Sequence, residues 1–261
     1  MENVLSATDT AAGSMPRRRV LAAYLEEARS ECLRYLRAPG FILPMTVFST
    51  VFYLMFGVLL NRGNPDAARY LLASYSAFGI IGPGLFGFGV SLAIERDGGL
   101  LTLKRALPMP PGAYLLGKMA MAMIASTIVV ALLLVIGTCL AHVSLSPGQV
   151  LALLASGAFG VLPFCALGMF VGTLIKGQGA PGLLNLVYLP MAFLSGLWLP
   201  LSMLPHALQQ LAPVWPSYHL NALTQAAVGT DKGPLLGHVL VLAGFAAGFL
   251  MLAARRLRRN G

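Results

Sequence analysis

The chain has 261 residues, of which 57% are hydrophobic and only 10% are charged, and its mean hydropathy is +0.77. Soluble globular domains carry about 25% charged residues, so this composition excludes a soluble domain and indicates an integral membrane protein. The formal net charge of +9 suits a nucleic-acid partner as well as a membrane surface, and the positions of the basic residues decide between the two.

The region before the first long apolar run has two parts. Residues 1–16 are small and polar without periodicity, which predicts a disordered lead-in to a single membrane domain over 17–261. Over 17–38, apolar residues recur at helical spacing. The opposite face is charged and carries Arg19, Glu26, Glu27, Glu31 and Arg34. We expect an amphipathic interfacial helix over 17–38 on the membrane surface, acting as an anchor or as a contact for a soluble partner.

Six apolar runs are long enough to cross a bilayer as helices, which takes about 20 residues. The predicted spans are Phe41–Leu60, Tyr70–Ile94, Tyr114–Ala141, Val150–Ile175, Pro181–Leu199 and Pro234–Ala254. All nine acidic residues fall outside these spans, whereas proton- or sodium-coupled carriers usually place ionisable groups within them. The predicted fold class is therefore an all-α membrane protein with six transmembrane helices and no ion-coupling chemistry of its own.

The basic residues fall mainly on one side of the six spans. Of the 18 Lys and Arg residues, 15 lie in four segments. These are the segment before span one, the loop between spans two and three with its flank, the loop between spans four and five, and the tail after span six. The remaining segments hold Arg62, Arg69 and Lys232. Because cytoplasmic segments carry the excess of Lys and Arg, both termini are predicted in the cytoplasm. The charge is thus a topology signal and a contact for anionic lipid, and we expect no nucleic-acid partner.

Two finer patterns lie within the apolar sequence. Gly168 with Gly172, and Gly244 with Gly248, have the four-residue spacing that lets helices approach closely. We interpret both pairs as packing positions, with dimerisation as the alternative. The segment 200–233 has two short apolar stripes divided by prolines. It predicts short external interfacial helices before the last span, which either cover a pathway or pad the bundle.

The segment between spans two and three is charged, then apolar, then basic, and it closes on prolines. It reads Glu95-Arg96-Asp97-Gly98-Gly99-Leu100-Leu101-Thr102-Leu103-Lys104-Arg105-Ala106-Leu107-Pro108. A helix of one or two turns with an apolar face has little to bury that face against by itself. We therefore interpret this segment as a docking site for a partner protein rather than as a plain connector.

Two other motifs imitate nucleotide sites and are set aside. Residues 112–119 nearly fit the phosphate-binding P-loop, but they lack its final Ser or Thr and no strand precedes them. Residues 177–182 have dinucleotide-site spacing but join two apolar spans. The four histidines and three cysteines lack metal-ligand spacing. We expect no catalytic residue, no cofactor and no metal site in this chain.

The order of these elements resembles the ABC-2 type transporter permeases, the membrane subunits of many bacterial ABC exporters. The resemblance covers the chain from Arg17 onward and is strongest in three segments. They are the Glu95-to-Pro108 segment, Tyr114-Leu115-Leu116-Gly117-Lys118, and Leu194-Ser195-Gly196-Leu197-Trp198-Leu199-Pro200 followed by Leu204-Pro205.

The resemblance implies a role for each part of the chain. Residues 95–108 would form a coupling helix seated on a separate ATPase that binds ATP and magnesium, with the 17–38 helix beside it. The implied interface residues are Glu95, Arg96, Gly99, Lys104, Arg105 and Pro108. Two permease copies, or one copy with a paralogue, would enclose the pathway in the inner (plasma) membrane. The implied pathway-lining residues, in the fifth span, are Asn185, Tyr188 and Pro190.

Two other function classes stay open at this point. One is a channel or secondary carrier that works without an ATPase, and the other is a membrane scaffold or enzyme. A carrier would transport its substrate in liposomes without any ATPase, which distinguishes it from an export subunit. The absence of acids from the spans favours apolar or amphipathic cargo over an ionic one.

Overall fold

The computed structural model describes residues 16–37, 39–100, 103, 110–231 and 233–260. Within those ranges every regular element is a helix, which confirms the all-α class. The α-helices, numbered in chain order, are α1 Arg17–Leu36, α2 Pro39–Phe52, α3 Pro65–Gly82, α4 Gly89–Asp97, α5 Pro111–Cys139, α6 Pro147–Gly160, α7 Leu162–Gly172, α8 Ala180–Leu194, α9 His206–Leu211, α10 Pro216–Val228 and α11 Leu235–Asn260. Residues 1–15, which include most of the predicted lead-in, lie outside the described part.

Local sequence signals set several of the helix starts. Proline occupies the first position of α3, α5, α6 and α10, where its fixed φ suits a helix and its missing N–H costs nothing. Ser146 caps α6, because its hydroxyl accepts from Gln149 N while the Gln149 side chain accepts from Ser146 N. This reciprocal pair satisfies two of the backbone donors left free at a helix start.

Four of the predicted spans coincide with helices that are long and apolar enough to cross a membrane. These are Pro65–Asp97, Gly112–Cys139, Pro147–Gly172 and Leu235–Arg256. The first of them is continuous because a wider helical turn, Pro83–Phe88, joins α3 to α4. It is also the central helix, since 89% of its most apolar window is buried.

The other two predicted spans are not among these four. The first coincides with α2 and the wider helical turn Tyr53–Leu59 that follows it, and Thr46–Leu59 is an apolar part of this stretch. In the fifth, α8 has only 15 residues, contains Pro190, and ends before Gly196, whose φ is +75°. Fifteen residues of helix span about 22 Å, less than the ~30 Å hydrocarbon core. The fold is therefore helical with four candidate spans, and the count of six stays a prediction.

The two glycine pairs have different surroundings. A Cβ on Gly168 would lie 2.6 Å from Leu85 O, and one on Gly172 would lie 2.6 Å from Gly89 O. Those glycines let the backbone of α7 touch the central helix, which confirms the packing interpretation for the first pair. A Cβ on Gly244 or Gly248 would meet nothing within 4 Å, so the packing interpretation is wrong for the second pair within this chain.

Candidate functional site

Helix α1 crosses the start of α5 through two glycines. A Cβ on Gly117 would lie 3.1 Å from Glu27 Cγ and 3.3 Å from Ala28 N. A Cβ on Gly112 would lie 3.1 Å from the Tyr24 hydroxyl oxygen. A Cβ at either position would be crowded and would require its neighbour to shift, so the glycines of the nucleotide-like 112–119 motif serve helix packing.

The crossing buries Lys118, which is 0% exposed. Its ammonium group donates to Glu95 Oε1 at 2.9 Å, to Ser91 Oγ at 2.9 Å and to Glu31 Oε2 at 3.1 Å. A lysine ammonium has three protons to donate, so every donor has an acceptor. Ser91 can accept because its own hydroxyl donates to Gly87 O at 2.6 Å.

Glu95 stands at the centre of this group and is 7% exposed. Its Oε2 accepts from the Tyr114 hydroxyl at 2.5 Å, and its Oε1 pairs with Arg34 as well as with Lys118. Because the helix continues to Asp97, Glu95 lies inside a candidate span. Asp66 and Asp97 also fall within the bounds of this helix, which is longer at both ends than the predicted span Tyr70–Ile94.

Glu31 and Arg34 bring α1 into the same group. Glu31 is 2% exposed and accepts from Arg34 at 2.5 Å. Partial burial alone would lower the pKa of the Arg34 guanidinium, but the carboxylates of Glu31 and Glu95 outweigh it and raise that pKa above its ordinary value. We call Glu31, Arg34, Glu95, Tyr114 and Lys118 the charged cluster. Its two acids and two bases balance, as buried charges require.

Helix α1 thus faces the protein differently from the sequence expectation. Its charged residues Glu31 and Arg34 turn towards α4 and α5, whereas Leu21 and Leu25 are 61% and 62% exposed. The expected assignment of Glu31 to the solvated face is therefore wrong. Lys118 interrupts the apolar start of α5, so the sequence signals that a buried cation needs an acidic partner, but it does not indicate which acid.

Residues next to Glu95 fix the beginning of the 95–108 loop from the other side. Arg96 donates from Nη1 to Thr173 O and from Nη2 to Ile175 O, both at 2.7 Å. Asp97 accepts from Gly177 N at 2.6 Å. These contacts tie the loop to the segment between α7 and α8.

The loop itself begins at a glycine turn. Gly99 has φ +73°, the left-handed region that favours glycine. The N–H of Leu103 donates to Gly99 O at 3.2 Å, and the Leu103 side chain is 63% exposed. Lys104, Arg105 and Pro108 lie outside the described residues, so their place at an interface stays a prediction.

The three predicted pathway residues occupy two faces of α8. Asn185 and Pro190 are exposed. Tyr188 is buried, stacks on Phe78 with ring centroids 4.9 Å apart, and donates to Phe78 O at 3.1 Å. Tyr188 therefore packs within the chain, and the pathway roles of Asn185 and Pro190 stay predictions.

A sequence profile of the family described as ABC-2 type transporter matches residues 27–227. The match takes in α1 from Glu27, the charged cluster and every helix up to α10 except its last residue. This chain belongs to the ABC-2 type transporter family. It is also 27% identical over 239 residues to the "Putative transport permease YvfS" of Bacillus subtilis (strain 168), covering 90% of this chain and 96% of that protein.

Membership of the ABC-2 type transporter family makes this chain the membrane subunit of a transporter and a multi-pass membrane protein. It also implies an ABC ATPase partner. Within such a subunit, the charged cluster joins three elements: the long helix that enters the loop, the helix that leaves it, and α1. Chemically it is a set of ion pairs between these three elements, buried at Lys118, Glu31 and Glu95 and half-exposed at Arg34.

Proposed function

We propose that this chain is the membrane subunit of an ATP-driven exporter and that a separate ATPase acts on it through the 95–108 loop. One observation supports this most directly: Lys118, after the loop, is bonded to Glu95, at the start of the loop, and to Glu31 on α1. A displacement of the loop would therefore move α1, α4 and α5 together. A plain connector would not need a buried ion pair across its two ends.

The mechanism we propose is a shift between two orientations of this joint. Nucleotide binding to the ATPase can favour one orientation only if the ATPase holds the loop differently in the two states. In this scheme Lys104 and Arg105 contact the ATPase. Glu95 and Arg96 act as positioning residues, because both are bonded within the chain. Gly99 and Pro108 shape the two ends of the docking helix.

We propose the six-span topology in the plasma membrane, with both termini on the ATPase side. The distribution of Lys and Arg supports this orientation. Span one would be formed by α2 with the helical turn Tyr53–Leu59, and span five by the shorter helix α8. Tilt and local thinning of the bilayer accommodate short spans at modest cost.

The pathway, in this proposal, lies between two permease copies or between this chain and a paralogue. Two surfaces support this: the face of α8 that exposes Asn185, and the side chains of Val47, Val51 and Met55, which are exposed on α2 and on the helical turn after it. Trp198, which follows α8, packs on α2 with its ring centroid 6.2 Å from those of Phe48 and Phe52. An apolar surface with one amide suits amphipathic cargo.

The test is reconstitution of the chain with its ATPase in liposomes and measurement of ATP hydrolysis and transport together. We expect the double charge reversal Lys104→Glu with Arg105→Glu to uncouple hydrolysis from transport without preventing membrane insertion. The matched control is Arg62→Glu with Lys232→Glu, two charges predicted on the opposite side. Unchanged coupling in the first variant would contradict the docking role of the loop.

An ATPase-independent carrier remains the second candidate, because Glu95 is an acid buried within a candidate span. Such acids often serve as proton relays. The same liposomes without the ATPase test it. Transport driven by an ion gradient alone would favour the carrier, whereas transport that requires ATP and the ATPase would favour the export subunit.

A further inference from the structure

Helix α11 is the least covered of the candidate spans. Its most apolar window is only 6% buried within the chain, against 89% for the central helix Pro65–Asp97. It rests on α7 and α10 through a few inward side chains such as Leu242 and Ala253. Most of its surface therefore faces away from the rest of the subunit.

That outer surface contains a groove of about 380 Å³. It is lined by Val241, Gly244, Phe245, Gly248, Phe249 and Leu252. The two glycines leave it open, since a Cβ on either would meet nothing within 4 Å. The rings of Phe245 and Phe249, stacked 5.9 Å apart, form one wall.

The groove has the length of one membrane leaflet. From Val241 to Leu252 a helix rises about 17 Å, close to half of the ~30 Å hydrocarbon core. An acyl chain that lies along the groove would therefore have its headgroup near the next helical turn.

That next turn is basic. Arg255 follows Gly244 by eleven residues, which places it within about 20° of the same helical face. Arg255 and Arg256 are both exposed, and α11 contains no Asp or Glu. Arg256 is held in place because its Nε donates to Thr173 O at 3.3 Å. An anionic headgroup would meet two cations and no acid from this helix.

The same charges disfavour a second copy of the chain as the occupant. Two copies related by a two-fold axis along the membrane normal bring the same residues of a shared face together. Each Arg255 would then lie beside its counterpart, and like charges repel. An anionic lipid satisfies the apolar groove and the basic turn at once.

We propose that this groove holds an acyl chain of an anionic phospholipid whose phosphate is bound by Arg255 and Arg256. The site lies on the outside of the subunit and does not depend on which substrate is transported. It assigns a ligand to the second glycine pair, which does not pack within the chain.

The test uses the full chain in vesicles of equal phosphatidylglycerol and phosphatidylcholine, followed by native mass spectrometry of the retained lipid. We expect selective retention of phosphatidylglycerol, weakened about fivefold by Arg255→Gln, which corresponds to about 1 kcal/mol per charge near an anionic surface. The matched control is Arg62→Gln, an exposed arginine on a different segment.

A second variant tests the groove itself. Gly248→Leu fills it and should abolish selective retention, whereas Gly182→Leu, at another glycine with nothing within 4 Å of a Cβ, should not. Equal retention of both lipids, or no change in Arg255→Gln and Gly248→Leu, overturns the proposal. Efficient disulfide formation between copies carrying Gly248→Cys also overturns it, because a second copy would then cover the groove.

Discussion

The two ends of the central helix Pro65–Asp97 are held by different kinds of bond. Near its end, Glu95 belongs to the charged cluster, and Glu95, Ser91 and Glu31 each accept a proton from the Lys118 ammonium. Near its start, Ser74 accepts from the Gln225 amide at 2.9 Å. Ser74 and Ser91 are separated by about 26 Å of helix, so the two sets are independent.

The bonds near the start are neutral and less complete. Ser195 and Ser217 share a hydrogen bond of 2.5 Å, and the Ser217 hydroxyl donates to Met191 O at 3.2 Å. Asn221 reaches Ser195 O and Gly196 O only at 3.5 Å, and its Oδ1 has no hydrogen-bond partner among the described residues. We call Ser74, Ser195, Ser217, Asn221 and Gln225 the neutral cluster.

The two clusters differ in the free energy that it costs to disturb them. A neutral hydrogen bond contributes about 1 kcal/mol, so the neutral cluster can rearrange at small cost. Removing one member of a buried ion pair costs about 3–5 kcal/mol because it leaves an unpaired charge. The end next to the 95–108 loop is therefore the costlier one to rearrange, and in the proposed mechanism it is the end that passes a displacement of the loop to α1 and α5.

The largest expected effect is from Lys118→Met. The substitution keeps roughly the length of the side chain but removes the buried cation from Glu31 and Glu95, while Arg34 still pairs with both. We expect the free energy of unfolding in detergent to fall by about 3–5 kcal/mol. The control is Lys176→Met, an exposed lysine, for which we expect a change within about 0.5 kcal/mol. Equal effects of the two variants would show that the cluster carries no stability.

The next effect in size concerns the crossing that positions the cluster. Gly117→Leu would push α1 away from α5, because even a Cβ at this position lies 3.1 Å from Glu27 Cγ. We expect a loss of about 1–3 kcal/mol, the usual range for overpacking. Gly182→Leu places the same side chain in open space and should unfold like the wild type. If both variants unfold alike, the close approach of α1 is not required.

The sequence predicted the helical class and four of the spans because apolar runs of this length leave few alternatives. It also pointed to the 95–108 loop, since its charge and prolines differ from the spans around it. It could not predict the charged cluster, because Glu31 and Lys118 are 87 residues apart and no local pattern joins them. Nor could the sequence predict the surroundings of the two glycine pairs, because Gly168 and Gly244 have the same local spacing but different neighbours in the fold.

A smaller effect is expected in the neutral cluster. Ser195→Ala removes one hydroxyl from the bond to Ser217, and we expect a loss of about 0.5–1.5 kcal/mol. A double-mutant cycle with Ser217→Ala measures the energy of the bond itself. Ser156→Ala is the control, because that hydroxyl bonds only to Ala152 O in its own helix. A loss comparable to that of Lys118→Met would remove the distinction between the two ends.

The smallest expected effect is a pH dependence at the neutral end. His219 donates from Nε2 to Pro213 O at 2.9 Å, and its Nδ1 lies 2.8 Å from Nδ1 of His238. Because neutral His219 already has its proton on Nε2, its Nδ1 accepts from His238. Protonation of His219 would turn its Nδ1 into a donor, so the bond between the rings would then require His238 to carry its proton on Nε2. Burial is the main cause that lowers the pKa of His219 below its ordinary value, and His238 lowers it further.

The sign follows from the lowered pKa. Above about pH 6.5, the ordinary histidine pKa, His219 is neutral in the folded and unfolded states and its contribution is complete. As the pH falls below that value, the unfolded chain takes up the proton first, so stability decreases. We expect unfolding measured between pH 8 and pH 5 to show this loss in the wild type and in His206→Gln, an exposed histidine. His219→Gln, which keeps a donor for Pro213 O but cannot titrate, should show a smaller loss. The same loss of stability with falling pH in all three proteins would show that another group causes it. Of the two histidines substituted here, only His219 has a second imidazole at hydrogen-bond distance.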